Sequence, residues 1–157
     1  MDLDLDQIEQ LSPHFTRTEL ACRHCNLCKV SPRLLAALEV LRAQGPEPIT
    51  VHDACRCPEH NAAVGGVPHS EHQFDRGEDG KDCEAADIEI KGLTLQQMYD
   101  RAELVYAFHT GGIGVYDGSP FIHVDVRKNG PARWGRINGR YVKASELIDP
   151  SHHDVQA

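Results

Sequence analysis

The chain has 157 residues, and 16 Lys and Arg face 24 Asp and Glu, which gives a formal net charge of −8 with His neutral. This length fits one ordinary domain and is short for two, so we predict a single domain over 1–157, with its core at 13–145 and a loose tail at 149–157. So acidic a chain, without a Lys/Arg cluster, is not expected to bind nucleic acid. No apolar run of about 18 residues occurs, so no membrane insertion is predicted.

The predicted elements place helices early and strands late. Ser31 and Pro32 have the residue types of a helix cap and a first helical position, and Gly45 ends that helix. Further predicted elements are a strand at 48–51, a helix at 58–64, a strand at 85–90, a helix at 94–109, and hairpins of 113–116 with 121–126 and of 133–135 with 140–142. This order predicts an α+β fold in which helices pack against an antiparallel sheet.

Six cysteines are present, and three of them, Cys22, Cys25 and Cys28, form a C-x2-C-x2-C pattern that contains His24. This spacing is typical of metal ligands, so the pattern predicts a second, structural zinc site if a fourth ligand comes from Cys55, Cys57 or Cys83. The first residues are acidic, where a secretory signal would begin with positive charge. Without such a signal disulfides are not the default, and reduced thiols or one disulfide formed after release are the alternatives.

Two imidazoles and one carboxylate suggest a catalytic metal. Asp87 lies between apolar neighbours in a predicted strand, where a carboxylate needs solvent or a strong partner. With His72 and His123 it would supply three ligands and leave a position for water. Asp125 shares a strand face with His123, so it would either orient that imidazole or act on the water. The alternative is a surface His72, a solvated Asp87 and a hydrogen-bonded core His123.

Several segments carry a family resemblance: RCPEHNAAVGG at 56–66, SEH at 70–72, AAD at 85–87, GGIGVY at 111–116 and FIHVDVR at 121–127. Together they resemble the zinc D-Ala-D-Ala carboxypeptidase family in its phage-type branch, which shares its fold with the Hedgehog signalling domain, over roughly residues 13–135. The resemblance implies a zinc cleft formed by His72, Asp87 and His123. It also implies a peptidase that hydrolyses peptidoglycan stem peptides, as a D-Ala-D-Ala carboxypeptidase or a D,D-endopeptidase. We expect the protein to be a monomer.

Substrate contacts are expected from three further residues. The resemblance implies that Arg56 binds the substrate, and a guanidinium fork suits a carboxylate; a structural ion pair is the alternative. Ser70 belongs to the same motif as the first ligand. Trp134 is expected either to line the cleft or to pack in the core.

The chain departs from the family pattern in three places. His72 and Asp87 are fifteen positions apart, where the family has seven, and the extra acidic, Gly-rich residues lie in a loop at 74–82. We expect a solvated loop there in preference to a lid or a weak calcium site, because it lacks the ligand spacing of an EF-hand. Cys83 replaces a family glycine, and residues 53–55 read Asp-Ala-Cys where relatives have Ser-Gly-Tyr.

The family pattern leaves the general base open. Some relatives carry an acid three residues before the last ligand, where this chain has Pro120. We therefore predict Asp125 as the base, with His69 as a weaker candidate.

Other functions fit the same residues. One is an L-alanyl-D-glutamate endopeptidase of the phage lysin kind, and another is a non-catalytic, wall-binding or phage structural protein that keeps the zinc fold. A third is a structural zinc protein built on the cysteines. In the leading interpretation the protein is made in the cytoplasm without a signal peptide and acts on the wall after release.

Overall fold

The computed structural model describes residues 8–77 and 79–151 and has an α+β fold with a six-stranded sheet at its centre. Its helices are α1 (Arg17–Leu20), α2 (Pro32–Arg42), α3 (Pro58–Ala63), α4 (Leu95–Glu103) and α5 (Tyr106–His109), with a short 3-10 helix at Ala144–Glu146. Its strands are β1 (Gln10–Ser12), β2 (Phe15–Thr16), β3 (Ile49–Asp53), β4 (Ala85–Ile90), β5 (Gly112–Tyr116), β6 (Ile122–Asp125), β7 (Ala132–Ile137) and β8 (Arg140–Val142). The predicted fold class is confirmed.

The sheet has the strand order β3-β4-β6-β5-β7-β8, and all its neighbours are antiparallel except β5 and β7. The prediction of a purely antiparallel sheet is therefore wrong for the pair of β5 and β7. The reason is that Asp125, at the end of β6, lies opposite Gly112 at the start of β5. The short segment 126–131 carries the chain past that same end, so β7 begins beside Gly112 and runs parallel to β5.

Local capping signals fix several helix starts. The Ser31 side chain accepts a hydrogen bond from the Leu34 backbone at the start of α2, and Pro32 is the first helical residue. Thr16 and Thr94 each form a capping box at the starts of α1 and α4. These caps agree with the sequence signals.

The predicted single helix at 94–109 is wrong, because the chain forms α4 and α5 with a break between them. Val105 has an extended conformation (φ −90°, ψ 112°) at this break. Val105 and Phe108 are buried, whereas Leu104 and Tyr106 are 70% and 80% exposed. The break therefore turns both buried side chains towards the sheet and leaves their neighbours in solvent.

The loop between the first two predicted metal ligands folds around Lys29. The Lys29 ammonium donates to the backbone oxygens of Asp75 and Gly77, each over 2.8 Å, and to that of Gly80 over 3.3 Å. The Lys29 ammonium thus binds the backbone oxygens that a calcium ion would need as ligands. The backbone of Asp75 also donates to the Lys81 oxygen over 2.8 Å, so the two ends of the loop meet.

The predicted loose tail at 149–157 falls largely outside the described residues. Asp149, at its start, exchanges two hydrogen bonds with the Gln96 side chain, over 2.7 and 2.9 Å. Among the described helices, none has the length and apolar character needed to cross a bilayer.

Candidate metal centre and active site

The central strands bring together the three predicted zinc ligands. Asp87 on β4 lies directly opposite His123 on β6, and His72 approaches them from the loop after α3. The His72 Nε2 and His123 Nδ1 atoms are 3.2 Å apart, and each lies 3.3 to 3.4 Å from the Asp87 Oδ1 atom. All three side chains are buried.

These separations fit a tetrahedral metal site. Two ligand atoms that each lie about 2.0–2.1 Å from a zinc ion in tetrahedral geometry are about 3.3–3.4 Å from one another. The Asp87 Oδ1 atom is buried and has no hydrogen-bond partner among the described residues. A carboxylate oxygen without a partner is costly in a protein interior, and a divalent cation would satisfy it.

The first imidazole is held in the tautomer that a metal needs. The Nδ1 atom of His72 is 2.7 Å from the backbone oxygen of Ala54, which can only accept a hydrogen bond. Nδ1 therefore carries the proton, and the lone pair of Nε2 points towards Asp87 and His123. The adjoining hydroxyl of Ser70 accepts a hydrogen bond from the His72 backbone over 3.2 Å.

The second imidazole, that of His123, is hydrogen-bonded to a carboxylate. Nε2 of His123 is 2.7 Å from Oδ2 of Asp125, so this nitrogen is the donor and Nδ1 is the ligand atom. Arg127 holds Asp125 in turn, with its Nε atom 2.9 Å from Oδ1 and an Nη atom 2.7 Å from Oδ2. Although burial disfavours ionisation, the hydrogen bonds from His123 and Arg127 hold the pKa of Asp125 below its usual range.

The carboxylate of Asp87 stays ionised for a similar reason. Burial alone would raise its pKa, but the adjacent imidazoles of His72 and His123 outweigh burial and hold the pKa below the ordinary value. His123 shows the complementary effect. Burial favours its neutral form, yet the hydrogen bond to Asp125 and the close negative charge of Asp87 raise its pKa to about 9. The two carboxylates of the site, Asp87 and Asp125, therefore favour a positive charge beside them.

A cleft of about 240 Å³ opens above these ligands. Its walls include three arginines, Arg56, Arg127 and Arg136, although the chain as a whole is acidic. A second depression of about 520 Å³ shares Arg56 and Arg136 with it, and Asp87 borders both. All three predicted ligand side chains thus line the first depression, and Asp87 also lines the second.

Arg56 forms a structural ion pair and also lines the cleft. Its Nε atom pairs with Oδ2 of Asp53 over 2.6 Å, and Nη1 donates to Oδ1 of Asn61 over 3.3 Å. Its other terminal nitrogen is 3.9 Å from Asp87 and lines the cleft. The departure from the family at Asp53 therefore provides the anchor for Arg56.

Trp134 lines the cleft and packs on His123. Its ring centroid lies 4.9 Å from that of His123, and the Arg127 guanidinium lies over it at 5.3 Å. Gly114 on β5 has His123 and Trp134 as its register partners on either side, and its lack of a side chain lets the two rings meet. A Cβ atom at Gly114 would come within 2.5 to 2.7 Å of the indole, so only glycine gives the ring this room.

The cysteines divide differently from the C-x2-C-x2-C pattern. Cys22 and Cys25 group with Cys57, and their sulfur atoms lie within 4.8 Å of one another. The Cys28 thiol instead contacts Cys55, which contacts Cys83. Cys57 thus takes the place predicted for Cys28. The hydrogen bond to Cys55 and burial raise the pKa of the Cys28 thiol, which keeps it neutral.

Other cleft residues were not predicted from the sequence. Tyr116, Arg136, Tyr141 and Glu71 line the walls, next to His69, the weaker candidate for the base. Burial and the nearby Asp87 charge raise the pKa of Tyr116. Arg127 ends the FIHVDVR motif, and its position two residues after Asp125 on an extended segment was the available signal for its role.

An α+β sheet that brings two imidazoles and one carboxylate to an open cleft has the arrangement of a zinc-dependent hydrolase. The family model described as Peptidase M15 matches residues 13–125. The chain therefore belongs to the peptidase M15 family, which consists of zinc-dependent metallopeptidases related to D-Ala-D-Ala carboxypeptidases. No curated protein matches the chain.

Proposed function

We propose that the protein is a zinc peptidase that hydrolyses peptide bonds in the stem peptides of peptidoglycan. The observation that carries this proposal is the triangle of ligand atoms of His72, Asp87 and His123, with edges of 3.2 to 3.4 Å, at the floor of the cleft. A bound zinc ion there would lower the pKa of a water molecule and polarise the scissile carbonyl.

The chain itself supplies binding and orientation. Ala54 and Asp125 fix the two imidazole tautomers, so the ligand atoms need no rearrangement. Arg56 and Arg136 face the cleft as fixed positive charges, and stem peptides carry free carboxylates. Charge complementarity therefore favours an anionic peptide over a neutral one.

Proton transfer is proposed for a side chain of the cleft wall. Asp125, predicted as the base, is 0% exposed, and both its oxygens already accept hydrogen bonds. These contacts favour the orienting role for this residue. His69, Glu71 and Tyr116 line the cleft and can exchange protons. Replacing each in turn, as His69→Ala, Glu71→Gln and Tyr116→Phe, is expected to identify one variant that keeps zinc but loses kcat.

The extent of the cleft decides which peptide bond of the substrate can reach the proposed metal. A carboxypeptidase needs a cleft that ends just beyond the terminal residue, whereas an endopeptidase accommodates chain on both sides. Because the two depressions meet at Asp87, we propose endopeptidase activity on cross-linked stem peptides ahead of carboxypeptidase activity.

Digestion of purified peptidoglycan tests the function. Mass spectrometry of the released muropeptides is expected to show cleavage at bonds between D-residues, and the His72→Ala variant should release nothing. Products cut between L-Ala and D-Glu would replace this proposal with the lysin-type endopeptidase. Zinc binding without any product would favour a wall-binding protein.

A further inference from the structure

A second group of potential metal ligands is built from residues that the cleft does not use. Cys22 and Cys25 lie in the loop after α1, and Cys57 caps the start of α3. Their sulfur atoms lie within 4.8 Å of one another. Thiolates bound to one tetrahedral zinc at about 2.3 Å are about 3.8 Å apart, so a small adjustment would suffice.

The loop that carries the first two cysteines is folded to point its N–H groups at sulfur. Its ends close through hydrogen bonds of 2.8 Å from Cys22 to the Leu27 oxygen and from Asn26 to the Cys22 oxygen. Asn26, directly after Cys25, has a left-handed conformation with φ 63°, which asparagine tolerates better than most residues. This turn brings both cysteine side chains to the same side.

Backbone donors converge on two of the three sulfur atoms. The Cys57 N–H donates to Cys22 over 3.4 Å, and the N–H groups of His24 and Cys25 also point to that sulfur. The His60 N–H donates to Cys57, again over 3.4 Å. Such N–H···S hydrogen bonds stabilise a thiolate, and they are the outer-shell contacts that metal-bound cysteines need.

A fourth donor lies beside one of the thiols. The Nδ1 atom of His24 is 3.5 Å from the Cys57 sulfur. We propose that Cys22, Cys25, Cys57 and His24 bind a structural zinc ion. Three thiolates and one imidazole complete a tetrahedron and leave no position for water, so this ion would stabilise the fold without taking part in hydrolysis.

The proposed zinc site would stabilise a chain segment that lines the cleft. Cys57 directly follows Arg56, and the Arg56 backbone donates to the His72 oxygen over 2.8 Å and accepts from Phe74 over 3.0 Å. Joining Cys57 to the loop of Cys22 and Cys25 therefore fixes the segment that holds both a predicted substrate residue and a predicted catalytic ligand.

Metal content and cobalt spectroscopy test the proposal. Wild-type protein purified under reducing conditions is expected to hold two zinc ions per chain. The Cys25→Ser and Cys57→Ser variants should each hold one, whereas the matched Cys28→Ser control should keep two. His72→Ala should also hold one zinc, and this separates the cysteine site from the cleft.

Cobalt substitution of the wild-type chain gives a readout that does not depend on how the variants fold. The cobalt protein is expected to show thiolate-to-metal charge-transfer absorption, which a site of two imidazoles and a carboxylate cannot produce. That absorption should persist in His72→Ala. A cobalt protein without it, or a disulfide among these cysteines in the reduced preparation, would overturn the proposal while leaving the peptidase function open.

Discussion

The Nε2 atom of His123 lies 2.7 Å from the Asp125 carboxylate, which is completely buried on the side away from the cleft. Asp125 in turn accepts hydrogen bonds from Nε and from one terminal nitrogen of the Arg127 guanidinium. In the proposed metal centre, Asp125 therefore orients His123, and this sets the expected outcome of replacing Asp125.

The Asp125→Asn variant is expected to bind zinc about 10–100-fold more weakly, because the imidazole loses its charged partner. Hydrolysis at saturating zinc should be reduced less than at limiting zinc. Zinc titration followed by activity measurement checks this, with exposed Asp79→Asn as the control. Unchanged zinc affinity together with lost turnover would instead return Asp125 to the role of general base.

The Arg56→Lys variant is expected to raise KM with little change in zinc content. Lysine keeps the charge but loses the fork that contacts Asp53, Asn61 and a substrate carboxylate. The comparison is Arg76→Lys, since Arg76 pairs with Glu59 on the surface. Equal KM values for both variants would show that Arg56 is only a structural ion pair.

The Gly114→Ala variant is expected to lose about 1–3 kcal/mol of stability, because its methyl group would overlap the indole of Trp134. Trp134 is the one tryptophan of the chain, so its fluorescence reports its own displacement during denaturant unfolding. A second substitution, Trp134→Phe, is expected to recover part of the loss, followed by circular dichroism because this double variant has no tryptophan. Wild-type stability in Gly114→Ala would contradict the close contact.

Stability of the metal-free protein is expected to depend on the charge of His123. Burial opposes protonation, but Asp125 and Asp87 raise its pKa to about 9 in the folded chain, above the value of about 6.5 for an unfolded histidine. Its contribution is therefore complete below about pH 6.5 and is lost as the pH rises through about 9. Calorimetry with a chelator should show Tm falling across this window, and His123→Gln should lack that fall.

Zinc loading provides the control for this pH dependence. A zinc-bound His123 has no proton on Nδ1 to lose, so the loaded protein should not show the same fall in Tm. Parallel slopes for loaded and metal-free protein would contradict the assignment of His123 as a ligand.

The sequence predicted most of the site because the motifs carry its side chains. His72, Asp87 and His123 meet as expected, since the pairing of β4 with β6 places Asp87 opposite His123. No sequence pattern could predict that the Ala54 carbonyl orients His72, because every residue has a backbone oxygen. Tyr141 and Arg136 reach the cleft through the parallel pairing of β7 with β5, and that pairing depends on a connection too irregular to predict.

The cysteines show where sequence spacing misleads. A regular C-x2-C-x2-C pattern favoured Cys28 as the third ligand, but the turn at Asn26 separates it from Cys22 and Cys25. Cys57 replaces it through a contact 35 positions away in the chain. In the same way, the break at Val105 follows from burial against the sheet, which local helix propensity does not contain.

Anomalous X-ray diffraction at the zinc edge, from crystals of the zinc-loaded protein, is the most direct measurement of the central claim. We expect a peak about 2 Å from Nε2 of His72, Nδ1 of His123 and Oδ1 of Asp87. Loaded crystals with no anomalous density among these three atoms would contradict the metal centre and the peptidase mechanism built on it.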